Sequence, residues 1–118
     1  MAESYKIDYT IKQNDVGRTI SGQFRDANDA VVDCTGNTSR KVFMRRQGRT
    51  TLKINGTSFS FSNVALGKFI YQWAAADLDT VGDYEMEFQT TLPGGVVVTF
   101  PTDVDKPYLL IRVQDDLG

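Results

Sequence analysis

"FIYQWAAADLDTVGDYEMEF", residues 69–88, carries two conflicting signals. It holds the only tryptophan, two of the tyrosines and five acidic residues, a composition that suggests a binding site. Its period suggests a core. Phe69, Tyr71 and Trp73 fall on one side of an extended chain. Tyr84, Met86 and Phe88 fall on one side of another, against Glu85, Glu87 and Gln89. Apolar at every second residue is the pattern of a half-buried strand. "AAADL", between them, has room for a single helical turn at most. The stretch is therefore expected to be two core strands joined by a crossing loop.

The same period runs outward in both directions. Ile7, Tyr9 and Ile11 alternate with Lys6, Asp8, Thr10 and Lys12. Ile20, Gly22 and Phe24 share a face, as do Leu52, Ile54, Phe59 and Phe61 along "TLKINGTSFSF". Val96, Val98 and Phe100, then Leu109, Ile111 and Val113, complete the series. Asn55-Gly56 carries the signal of a type I′ hairpin, with Ile54 opposite Thr57 and Leu52 opposite Phe59. At "LPGGV" a three-residue loop, Pro93–Gly95, sets Leu92 opposite Val96, Thr90 opposite Val98 and Phe88 opposite Phe100. Pro101 and Pro107 place the start of the last strand after "TDVDK". About eight short strands with turns between them predict an all-β, antiparallel sandwich or barrel. Residues 1–118 read as one domain, with its core between about 5 and 114.

The chain carries a net charge of −2. That balance argues against a surface that tracks phosphates, which needs clustered Lys and Arg. The one basic cluster, Arg40, Lys41, Arg45, Arg46 and Arg49, reads as solvated strand ends near a turn, with an anionic partner as the alternative. Together with Lys6 to Lys12 it carries charge suited to guarding a sheet edge. The lone Cys34 follows two valines and reads as a small buried apolar residue. The N-terminus has no apolar signal region, and no apolar run approaches membrane-spanning length. The glycosylation triplets at Asn37 and Asn55 read as chance matches.

Histidine is absent, which removes histidine-based triads and histidine metal sites. One cysteine cannot build a thiolate zinc site. Carboxylate chemistry remains open. Asp77, Asp79 and Asp83 in one loop, and Asp103 with Asp105 in another, have a spacing compatible with oxygen ligation of calcium. The simpler reading is solvated turn residues and caps. Phe69, Tyr71 and Trp73 would form a stacking platform only if they faced solvent; their phase puts them in the core. Tyr5, Tyr9 and Tyr108, near strand starts, can pack the ring and keep the hydroxyl wet. The expectation is no catalytic residue, no metal and no cofactor.

Several segments together resemble one family. "YTIKQNDVGRTISGQFRDANDAVVDCTG" is similar to the opening of the N-terminal domain of siphophage baseplate upper proteins, the BppU family. The matching residues are Ile11, Asn14, Asp15, Phe24, Asp26, Val32, Asp33, Thr35 and Gly36. "RKVFMRR" resembles the strand that follows. In "GKFIYQWAAADLDTVGDYEMEFQTTLPGGVVVTFP" the matches are Gly67, Lys68, Tyr71, Trp73, Asp79, Thr80, Gly82, Tyr84, Glu87, Phe88, Thr99, Phe100 and Pro101. Gly82-x-Tyr84 also resembles the tyrosine corner of immunoglobulin-like domains, with Met86 where those often hold a cysteine.

The resemblance covers about Ile7 to Val113. It implies an immunoglobulin-like β-sandwich that serves as a building block of a phage particle. Its implied partners are other virion proteins, as repeated copies on a symmetric ring or lattice, without nucleic acid or membrane. The implied location is the virion. Cys34 departs from the family's usual leucine and Asn28-Asp29 from its usual Asn-Gly. The chain also stops at "QDDLG", where that family continues into a helical stalk. It is either a fragment or a stand-alone tail, baseplate, neck or capsid-associated protein; Met1 and the chain ends favour the second. The alternative function is a carbohydrate- or host-surface-binding sandwich.

Overall fold

Alternation along the chain becomes two packed sheets in the structure, a computed structural model that describes residues 7–102 and 106–115. The readings of Tyr5, Lys6, Asp103 and Asp105 lie outside the described residues. Among the described residues there are nine strands: β1 (Tyr9–Lys12), β2 (Thr19–Gln23), β3 (Ser39–Arg46), β4 (Leu52–Thr57), β5 (Ser60–Asn63), β6 (Lys68–Gln72), β7 (Gly82–Thr91), β8 (Val97–Phe100) and β9 (Leu109–Gln114). The large sheet has the order β1-β9-β7-β3-β4, and the small sheet β2-β6-β5. Ten-residue β7 is the spine of the large sheet. Its first half pairs with β9, its second half with β8, and β3 runs along its other side. All pairings are antiparallel except β1 with β9, which corrects the antiparallel expectation at that one edge.

The faces predicted to be apolar meet between the sheets. Ile20, Phe24, Phe69, Tyr71 and Trp73 of the small-sheet side pack against Met44, Tyr84, Met86, Phe88, Ile111 and Val113 of the large one. Phe69 and Phe88, one from each sheet, have ring centroids 4.5 Å apart, and Phe59 lies 5.3 Å from Phe69. Each such ring removed from water contributes about 1.5–3 kcal/mol. Gly22 pairs with Phe69 and faces inward. A Cβ there would lie 2.6 Å from the Phe69 ring and 2.9 Å from that of Phe100, so the absent side chain is the space those rings occupy. Cys34 is fully buried, as its apolar neighbours imply.

The Pro93–Gly95 hairpin has the expected register, with Phe88 opposite Phe100, Thr90 opposite Val98, and Leu92 donating to the Val96 carbonyl at 2.7 Å. "AAADL" contains the expected single turn, a 3-10 segment over Ala75–Leu78; a second, unforeseen one covers Val64–Leu66. The Asn55-Gly56 hairpin does not form. β4 runs straight through both residues, and Gly56, at φ 77°, forms a bulge against β3, between Thr57 opposite Val42 and Asn55 opposite Phe43. Ile54 faces Met44, not Thr57, and Phe59 enters the core as the chain crosses to β5 in the other sheet. Positive φ suits a glycine in a bulge as well as in a turn.

Candidate interaction surface

The opening stretch is interior. Trp73 is 4% exposed and meets the Tyr71 ring edge-on. The three acids of its loop point in three directions. Asp77 is buried: its Oδ2 accepts the Tyr71 hydroxyl at 2.6 Å and the Ala74 N–H at 2.8 Å. The solvated reading of Asp77 is therefore corrected; the 3-10 turn swings it inward, where it caps that turn and partners a core tyrosine. Asp79 pairs with Lys53 of β4. Asp83 receives a bidentate pair from Arg112 of β9, at 2.9 and 3.1 Å, which holds its carboxyl below the usual carboxylate range. Ligands that diverge in this way do not enclose a cation. Among the described residues no group of three or more Cys, Asp or Glu side chains converges as a metal site. Tyr84 donates to the Thr80 carbonyl at 2.8 Å, the bond a tyrosine corner makes.

The outer face of the large sheet is where charged and apolar groups stand side by side. Val42 and Met44 of β3 point into the core, so Lys41, Phe43 and Arg45 point out. Cross-strand pairing sets Lys41 opposite Gln89, Phe43 opposite Glu87 and Arg45 opposite Glu85. Arg45 Nε donates to Glu85 Oε1 at 2.8 Å, and a second guanidinium nitrogen donates to the Tyr108 hydroxyl at 3.2 Å. The same guanidinium sits 5.1 Å from the Tyr108 ring centroid, a cation–π contact. Phe43, Leu52 and Tyr108 with Glu85 and Glu87 line a shallow groove of about 270 Å³. Phe43 was not singled out in the sequence; its signal is an aromatic out of phase with Val42 and Met44.

The edges follow from the sheet order. β1 is an edge strand and carries Lys12, in keeping with a guarded edge. The cluster Arg40 to Arg49 does not guard an edge. Its first members lie on β3, between β7 and β4, so the charges mark a solvent face and the turn beyond it. The true edge there is β4, which carries Lys53 and pairs with β3 through two register shifts. At the end of the sandwich where β7 meets β8, Val96 and Val97 are 57% and 55% exposed, although Val96 was expected to share the face of Val98 and Phe100.

No protein-family model matches the chain, and no curated protein matches its sequence.

Proposed function

We propose that the chain is a non-catalytic structural component of a phage particle that acts through protein–protein contacts, as repeated copies on a symmetric ring or lattice of virion proteins. The observation that carries this reading is the ordered series of motifs resembling the baseplate upper proteins, from Ile11 to Pro101. The structural work of those residues supports it: Trp73 and Phe88 fill the core, Tyr84 ties its corner, and Gly67 leaves room for the Val32 carbonyl, which a Cβ would approach to 2.5 Å. Residues that serve the scaffold are what a building block needs. Its outer surface, charged and apolar by turns, is the part that neighbours would meet.

The carbohydrate-binding alternative calls for aromatics exposed in a loop or on one sheet face. Phe69, Tyr71 and Trp73 are buried and offer no such platform; Tyr9, Phe43 and Tyr108 are the aromatics that reach the outside. Antibody-labelled electron microscopy of purified particles tests the proposal. Label at one defined position on every particle is the expected result, and unlabelled particles overturn it.

A further inference from the structure

Two of the basic residues left over by the ion pairs, Arg46 and Arg49, meet at one end of the sandwich. Arg46 and Arg49 are exposed and, among the described residues, neither has an acidic group within ion-pair distance. Arg46-Gln47-Gly48-Arg49 is a tight turn closed by the Arg49 N–H on the Arg46 carbonyl at 2.9 Å. Gly48 has φ 81°, the value a type II turn requires at that position. The turn therefore sets the two arginines at its first and last positions, which are close in space.

Arg46 is also held. It continues the inward phase of Val42 and Met44 past the end of the core, opposite Tyr84. Its guanidinium lies over Gly82, where a Cβ would meet Cζ, Nε and one terminal nitrogen at 3.1 Å each. Such a fork loses little freedom on binding. Arg46, Arg49, Lys53, Thr51 and Thr80 line a cleft of about 230 Å³, with Leu52 and Tyr84 as apolar wall. Lys53 is already paired with Asp79, and Asp83, whose charge Arg46 also feels, is held bidentately by Arg112, so neither arginine fork has a carboxylate of its own.

We infer that this cleft docks an acidic segment of a neighbouring protein, with a Glu or Asp side chain held by the Arg46 and Arg49 forks. This rests on the structural-component reading for the partner's location, not for the chemistry. A carboxylate matches the guanidinium fork bidentately. The Leu52 wall suits a carboxylate that arrives on a methylene stem better than it suits a bare inorganic anion.

The test follows the arginine Nε–H resonances of the labelled full chain during titration with an end-blocked hexaglutamate peptide, and separately with inorganic phosphate at matched ionic strength. Expected are saturable shifts at Arg46 and Arg49 with the peptide, weaker as salt rises, with no comparable shift at Arg40 on the same strand; the backbone N–H shift of Gly48, between the two arginines, should saturate alongside them and be lost in the R46Q/R49Q variant. Equal response at Arg40, non-saturating shifts, or phosphate matching the peptide overturns the inference. Particles supply a second readout. R46Q/R49Q should be lost from them at least tenfold, whereas the equal-charge control R40Q/K41Q should be retained; retention of R46Q/R49Q overturns the inference and leaves the structural-component reading standing. Absence of the unaltered chain from particles overturns that reading, while saturable peptide binding would still support the cleft.

Discussion

Changing Tyr71 to Phe should destabilise the fold through one hydrogen bond. The Tyr71 hydroxyl donates to Asp77 Oδ2 at 2.6 Å, and Asp77 is only 7% exposed. A hydrogen bond to a charged group contributes about 1.5–3 kcal/mol, and Tyr71→Phe leaves the Asp77 carboxylate with the Ala74 N–H as its remaining partner. Asp77→Ala strands the buried hydroxyl instead, at about 1–3 kcal/mol. The Ala74 N–H, on an exposed residue, can turn to water. Removing both partners at once leaves nothing unsatisfied between them, so the double variant should cost less than the sum, with a coupling of roughly 1–2 kcal/mol. Urea unfolding followed by Trp73 fluorescence is a suitable assay, because Trp73 packs against the Tyr71 ring at 5.7 Å. With a urea slope of about 1–3 kcal/mol/M, a loss of 2 kcal/mol lowers the midpoint by roughly 0.7–2 M. Unchanged midpoints in both single variants, or strictly additive losses in the double, would refute the buried-pair argument.

Three further outcomes follow from the same geometry. Burial, and then the bond to Asp77, push the Tyr71 hydroxyl's pKa up. Its contribution is therefore fully present below the unfolded tyrosine value of about 10 and is lost as pH rises through the folded one; Tyr71→Phe should flatten that alkaline decline in midpoint. Asp83 moves the other way, lowered first by its hydrogen bonds from Arg112. Its contribution is present above the unfolded value of about 4 and is lost as pH falls through the folded one, so Asp83→Asn should flatten part of the acid limb. Gly67→Ala places a Cβ 2.5 Å from the Val32 carbonyl oxygen at a φ of 65°, and should lower stability by more than about 1 kcal/mol in the same urea assay.

Most of the strands were legible because their side chains obey the pleat. Tyr84, Met86 and Phe88 announce β7, and the registry of Phe88 with Phe100 follows from loop length alone. What was not legible is which strand lies beside which. Asn55-Gly56 has the local chemistry of a hairpin, but the pairing partner of β4 is β3, and the chain must cross between sheets after Thr57. The same blindness turned a solvent face into an edge. Lys41 and Arg45 alternate with buried Val42 and Met44 whether β3 is central or outermost. Tyr9 shares the phase of Ile11 yet is 40% exposed, because β1 is the last strand of its sheet. Asp77 and Asp79 are two residues apart and look equivalent in sequence; only the 3-10 turn sends one to Tyr71 and the other to Lys53. The convergence of Arg46 and Arg49 was hidden for the same reason. Their spacing is visible, but the cleft needs Lys53 and Thr80 from distant parts of the chain.

Whether the chain is a building block in repeated copies can be read from quantitative mass spectrometry of gradient-purified particles, with the major capsid protein as internal standard. A building block should be present at a fixed copy number per particle that is a multiple of the symmetry order of one ring or lattice. Absence of the chain, or a copy number that varies between preparations and falls on washing, would contradict it.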